Sequence, residues 1–156
     1  MEMKKLNKVI AMAMMMILLA GLTACGNRTA VSVSEFNNVL EDKGYIIEDA
    51  TGQIAPESIT AISLAVGDDY QIEFYEFKNN AAATAVFNEN KNIFESYASG
   101  GASAEITKNI MNYSYYSVTS SGTYYMLAKI DNTMLYAVAD SEYKDEIVEI
   151  VKELGY

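Results

Sequence analysis

Histidine is absent from all 156 residues, and cysteine occurs once, at Cys25. Ser-His-Asp and Cys-His relays are therefore excluded, as are zinc sites built on imidazole. What remains for chemistry is carboxylate and phenol. The chain has twelve tyrosines and no tryptophan, and six of the tyrosines crowd between 113 and 136: Tyr113, Tyr115, Tyr116, Tyr124, Tyr125 and Tyr136. Asp68 and Asp69, with Glu73 and Glu76 downstream, offer the oxygen ligands that calcium takes, but without EF-hand spacing. Acidic residues also occupy turns simply because they fit there. Gly100-Gly101 lacks the Lys-Ser or Lys-Thr that completes a phosphate loop. A glycosidase needs two carboxylates in one cleft, whereas these fall on turns and exposed helix faces. The residues therefore predict no catalytic group, no metal site and no cofactor, in a protein that is not an enzyme.

Cys25 closes a distinctive N-terminal stretch. Lys4, Lys5 and Lys8 form a basic lead-in, Val9 to Ala20 is unbroken apolar sequence, and Gly21 precedes Leu22-Thr23-Ala24-Cys25. Charged, apolar and small-residue regions in that order mark an export signal. The apolar run falls short of the roughly 20 residues a spanning helix needs. The Leu-Thr-Ala-Cys sequence resembles the lipobox of bacterial lipoproteins. The resemblance implies cleavage before Cys25, a diacylglyceryl group on its sulfur and acylation of the new amine. Residues 1–24 are then a cleaved signal, 25–31 a lipidated cysteine with a short polar spacer, and 32–156 one domain. The expected location is the extracytoplasmic face of the cell membrane, held by the lipid on Cys25. Two or more acyl chains make such attachment stable, where one holds only marginally.

Removing 24 of 156 residues leaves 132, enough for one domain with a single core. It also removes three of the 11 basic residues and one of the 21 acidic ones, leaving a net charge of −12. That balance excludes nucleic-acid binding, which needs a basic footprint. It also predicts a domain held off an anionic lipid surface instead of lying on it. With its thiol acylated, the domain has no disulfide and must be stabilised by packing.

Hydrophobic spacing gives the elements. Ser32 and Glu35 fit a capping box ahead of a helix over 33–43, with Phe36, Val39 and Leu40 as its apolar stripe and Gly44 as its stop. Tyr45–Glu48 reads as a strand and 50–57, with Pro56, as a loop. Ile59–Val66 and Tyr70–Phe77 read as a hairpin across Gly67-Asp68-Asp69. In it Ile62, Leu64 and Val66 take one side of their strand, and Tyr70, Ile72 and Phe74 one side of theirs, for a sheet with one buried and one wetter face. Asn79 caps a helix over 80–97 that ends at Ser99-Gly100-Gly101, and 105–110 reads as a strand. Tyr113–Val118, Thr123–Ile130 and Thr133–Ala139 form a meander, and a helix over 142–154, capped by Asp140 or Ser141, ends the chain. Asp131-Asn132 suits a two-residue turn that needs positive φ. That turn sets Ile130 opposite Thr133, Ala128 opposite Leu135, Met126 opposite Ala137 and Tyr124 opposite Ala139, all on one apolar face. The fold class is α+β, an antiparallel sheet with helices packed on one face, in the order α-β-β-β-α-(β)-β-β-β-α. Each half holds a hairpin followed by a capped helix, which reads either as a diverged internal duplication or as a common supersecondary pattern.

The same register puts Tyr116, Tyr125, Leu127, Met134, Tyr136 and Val138 on the face opposite the core. Two readings follow. As an open aromatic surface, Tyr116, Tyr125, Leu127 and Tyr136 would capture a protein or peptide partner. As strand formers beneath a helix, they would be a second core. The expected function is a non-enzymatic binding or interaction module on a lipid anchor. The alternative is a small-molecule or ion-binding accessory lipoprotein of a transporter.

Overall fold

The computed structural model describes residues 26–54, 57–98 and 101–156. Leu22-Thr23-Ala24-Cys25 and the rest of the expected signal lie outside the described residues, as do Pro56 and Ser99-Gly100. The order is α1 (Val33–Asp42), β1 (Ile46–Asp49), α2 (Thr51–Ile54), β2 (Ile59–Val66), β3 (Gln71–Phe77), α3 (Asn80–Ala98), β4 (Ala102–Ile110), β5 (Tyr113–Ser120), β6 (Thr123–Ile130), β7 (Thr133–Asp140), a 3-10 turn (Ser141–Tyr143) and α4 (Lys144–Glu153). This is the α+β class with the expected order of its main elements.

Local chemistry explains most boundaries. The Ser32 hydroxyl accepts the Glu35 N–H at 3.2 Å while the Glu35 carboxylate accepts the Ser32 N–H at 2.8 Å, completing the capping box of α1. Gly44, at φ +92°, ends that helix in the left-handed conformation glycine tolerates. Asn79 Oδ1 accepts the Ala82 N–H at 2.9 Å and caps α3. The 50–57 loop holds a short helical turn, α2, because Asp49 Oδ1 accepts the Thr51 N–H and Thr51 Oγ1 accepts the Ile62 N–H, each at 2.9 Å. The last helix starts later than its sequence suggests: a 3-10 turn comes first, and Asp140 makes no side-chain capping bond.

All seven strands pair antiparallel, in the spatial order β1-β2-β3-β7-β6-β5-β4. The chain runs as one meander to β3, crosses along α3 to the far edge, and returns through β4–β7 to close on β3. The β6–β7 register is the one the Asp131-Asn132 turn dictates, with Asp131 at φ +48°. In the first hairpin the pairing of Val66 with Gln71 puts Ala65 and Ser63 opposite Ile72 and Phe74. Ile62 and Leu64 therefore share a face with Tyr75 and Glu73, not with Ile72 and Phe74, and the two faces are less unequal than expected.

The helices do not share one face. Phe36 and Leu40 of α1 and Ile147, Ile150 and Val151 of α4 pack on Ile72, Phe74, Met126, Ala128, Leu135 and Ala137. Ala83, Phe87 and Phe94 of α3 pack on the reverse side, over Tyr116, Val118, Leu127 and Met134. The result is three layers with two cores. The physical reason is that β6 and β7 are buried on both sides and read as nearly continuous apolar sequence, which a one-faced sheet does not require. The similarity of the halves stops here too. A two-fold axis relating antiparallel neighbours β3 and β7 would keep their following helices on one face, yet α3 and α4 lie on opposite faces.

Candidate functional site

The aromatic face singled out by the sequence is a core. Tyr116 and Leu127 are fully buried beneath α3, so neither can meet a partner. Phe94 lies 4.9 Å from the Tyr125 ring and 5.4 Å from the Tyr136 ring, and leaves both half-buried. Lys91 Nζ sits 4.9 Å from the centre of the Tyr116 ring. The Tyr116 hydroxyl has no hydrogen-bond partner among the described residues, and burial first, then Glu105 and Glu95, pushes it up to about 12. Of the two readings of this face, the open surface of Tyr116, Tyr125, Leu127 and Tyr136 gives way to the second core, a helix-covered layer. A depression of about 270 Å³ remains at its edge, where Glu73 accepts hydrogen bonds from Gln71 and the Tyr75 hydroxyl. Asp68 and Asp69 do not converge with Glu73 and Glu76, and among the described residues no three acidic side chains meet as metal ligands.

The opposite face is covered less completely. β5 sends Tyr113, Tyr115 and Ser117 to that side, and pairing with β4 puts Ile110, Lys108 and Ile106 beside them. Helix α4 lies over β6 and β7 and presents Lys144, Val148, Val151 and Lys152 along one flank, at helical spacing. Between that flank and the β4–β5 edge lies a cleft of about 370 Å³, closed at one end by Arg28 and Tyr156. Four of the eight basic residues beyond residue 24 line it: Arg28, Lys108, Lys144 and Lys152. Asp145 is its single acidic side chain. Among the described residues the ion pairs are Lys43–Glu153, at 2.7 Å, and Lys91–Glu95, so none of the four cleft cations has a carboxylate partner.

Tyrosine rings face three of these cations. The Arg28 guanidinium carbon is 3.6 Å from the centre of the Tyr113 ring, Lys108 Nζ 5.7 Å from Tyr115 and Lys144 Nζ 5.9 Å from Tyr124. Tyr113 and Tyr115 stack, and the Tyr115 and Tyr124 hydroxyls lie 2.9 Å apart. Burial pushes Tyr113 up to about 12 against the pull of Arg28, and raises Tyr124 well above its ordinary value. These phenols stay protonated at neutral pH. The cleft thus offers cations, hydroxyl donors and ring faces, a set that takes an anion on an apolar or aromatic body.

Arg28 also revises the spacer. Its backbone N–H donates to Asn112 Oδ1 at 2.9 Å, Asn112 Nδ2 donates to its carbonyl at 2.8 Å, and Nη1 donates to the Gly155 carbonyl at 3.2 Å. The expected spacer over 25–31 is docked from Arg28 onward because Asn112 pairs with its backbone. Sequence reasoning missed the cleft: Arg28 and Lys152 are remote in the chain, and no local pattern joins them. The usable signal was the alternation of Lys108, Tyr113 and Tyr115 on one side of the β4–β5 hairpin.

A second depression, of about 300 Å³, has the opposite character. Tyr45 and Tyr70 share a hydrogen bond between their hydroxyls, and Glu146 Oε1 lies 3.3 Å from Tyr45 Oη. Asp68 and Asp69 stand at its rim.

No protein-family model matches the chain, and no curated protein matches it in sequence. Among solved structures, a GTP-binding regulator from Thermotoga maritima is similar in outline, with 13% identity and a TM-score of 0.46 over 80% of this chain and 84% of that one. At that distance nothing about a site or a ligand transfers.

Proposed function

We propose that the chain is a membrane-anchored extracytoplasmic lipoprotein, tethered through Cys25, whose domain is a non-enzymatic binding module. The Leu22-Thr23-Ala24-Cys25 sequence behind its export signal supports the anchor. The cleft supports the binding role, and one observation carries it. In a chain this acidic, half of the cations that follow the signal converge on one tyrosine-walled cavity and leave one another's charge uncompensated. Clustered like charges destabilise a fold by self-repulsion, so the arrangement is best explained by an anionic partner. The module therefore takes an acidic peptide segment of another envelope protein. Its size, at the lower end of ligand-pocket volumes, also suits the second reading, a small carboxylate or phosphate ligand.

Two experiments test this. Intact mass of the protein from its own membrane should show Cys25 at the N-terminus with acyl chains; an unlipidated chain beginning at Met1 removes the anchor. Titration of isotope-labelled Cys25→Ser protein with a Glu- and Tyr-containing peptide should move the resonances of Tyr113, Tyr115 and Val148 first. Shifts confined to the α3 face would reject the cleft.

A further inference from the structure

The described part of the chain begins close to one end of the sheet. Asn112 holds both backbone groups of Arg28 and also donates to Asp131 Oδ2 at 2.9 Å, while the Asp131 N–H donates to the Asn112 carbonyl. The β4–β5 and β6–β7 turns and Arg28 therefore form one cluster. Two residues, Gly26 and Asn27, separate Arg28 from Cys25, three chain steps with a reach of at most about 11 Å even fully extended. Whatever Cys25 is attached to, this end of the sheet lies beside it.

The surface there exposes large apolar side chains next to Arg28. Ile110 is 57% exposed and Met111 is 74% exposed, side by side at the hairpin tip. Met111 sits at φ +54°, the first position of a two-residue turn, where the other two turns of the meander carry Ser121 and Asp131. Small polar residues suit that position because their side chains bond the local backbone. A large apolar side chain held in water at such a site needs another reason. Asn112 holds Arg28 at the tip, Lys152 lines a depression together with Arg28, and Asp131 is the carboxylate bonded to Asn112. The other end of the sheet carries Asp68, Asp69, Asp140 and Glu142 on its turns and 3-10 helix.

We propose that the β4–β5 tip is a membrane-docking surface for an anionic phospholipid bilayer, with Ile110 and Met111 seated at the boundary of headgroups and acyl chains and Arg28 and Lys152 on lipid phosphates. The inference rests on the lipoprotein reading, which puts the acyl chains at Cys25. It changes what net charge alone predicts: the domain stands on its cationic, apolar-tipped end and turns its acidic end away. Apolar side chains in this setting bury to a depth of about 5–10 Å. Cations near an anionic surface add roughly fivefold each to the partition.

The absence of tryptophan gives a clean test. Met111→Trp and, at the far end, Asp68→Trp each place one reporter in full-length protein purified from its membrane and reconstituted in phosphatidylglycerol–phosphatidylcholine vesicles. Intact mass of the same samples reads lipidation separately. The proposal expects lipidated Met111→Trp protein to emit to the blue and to be quenched by brominated lipid, while the Asp68→Trp reporter stays water-like. Lipidated protein whose two reporters behave alike overturns the docking and leaves the anchor standing. A mass without acyl chains overturns both. Amide exchange over 110–113 in unsubstituted lipidated protein supplies a readout free of substitution. Slower exchange in vesicles than in Cys25→Ser protein supports the docking, and equal exchange contradicts it.

Discussion

The two faces of the sheet are supplied by the same strands with the same kinds of residue and each carries a core, yet only one also kept a cationic cleft. Tyr116, Tyr125 and Tyr136 point to one side; Tyr113, Tyr115 and Tyr124 point to the other. The difference lies in what covers them. Helix α3 has 19 residues and reaches, at 1.5 Å per residue, about 28 Å across the sheet. On the other side α1, of 10 residues, packs over β1–β3, and α4, also of 10, covers about 15 Å, leaving β4 and the outer side of β5 open. Tyrosine content therefore does not mark a binding surface in this fold. The length of the covering helix does, together with the charge at the margin it leaves.

The largest effect should come from uncovering the closed face. Phe94→Ala removes the ring that packs on Tyr125 and Tyr136, and should cost about 3–5 kcal/mol in denaturant unfolding. A loss under about 1 kcal/mol, below the range for such truncations, would mean that α3 is not docked and that the aromatic face is open after all.

Alkaline unfolding comes next and samples both faces. Unfolded tyrosine ionises near 10, whereas burial holds Tyr113 and Tyr116 to about 12. The unfolded chain therefore loses its protons first, so stability is intact below pH 10 and falls as pH rises from 10 towards 12. Each of these two should contribute on the order of 2 kcal/mol to the loss. Lys129, held below its usual value by burial, acts in the opposite sense but is a single group. Circular dichroism against pH checks this; a flat profile to pH 12 contradicts the burial of these rings.

Smaller still is Tyr116→Phe, which deletes a buried hydroxyl without a partner. It should leave stability unchanged or raise it by up to about 1 kcal/mol, whereas loss of a satisfied hydroxyl would lower it. Least of all in stability is the double change Lys108→Glu and Lys144→Glu in the open cleft. Thermal unfolding should move by no more than about 0.5 kcal/mol, as for ordinary surface sites. Capture of an acidic peptide should nevertheless be lost.

Legibility in the sequence followed the range of the interaction. Elements set by near neighbours were readable: the Ser32–Glu35 cap, Gly44, and the Asp131-Asn132 turn with the whole β6–β7 register it dictates. Face assignment in the first hairpin was not, because alternation shows that residues share a side without showing which sides pair across Gly67–Tyr70. The placement of α3 also failed to follow from its own stripe, since a sheet with two apolar faces offers that stripe two homes. The cleft depends on contacts between Arg28, Asn112 and Gly155, which no local pattern announces.

The most direct test of the account compares the two faces in intact cells. A photo-crosslinking side chain at position 148, on the α4 flank of the cleft, and another at position 90, over the closed face, should be introduced separately into the full-length protein. The account predicts a discrete adduct from 148 that disappears when Lys108 and Lys144 are changed to Glu, and none from 90. An adduct from 90 alone, unaffected by those charges, would contradict it.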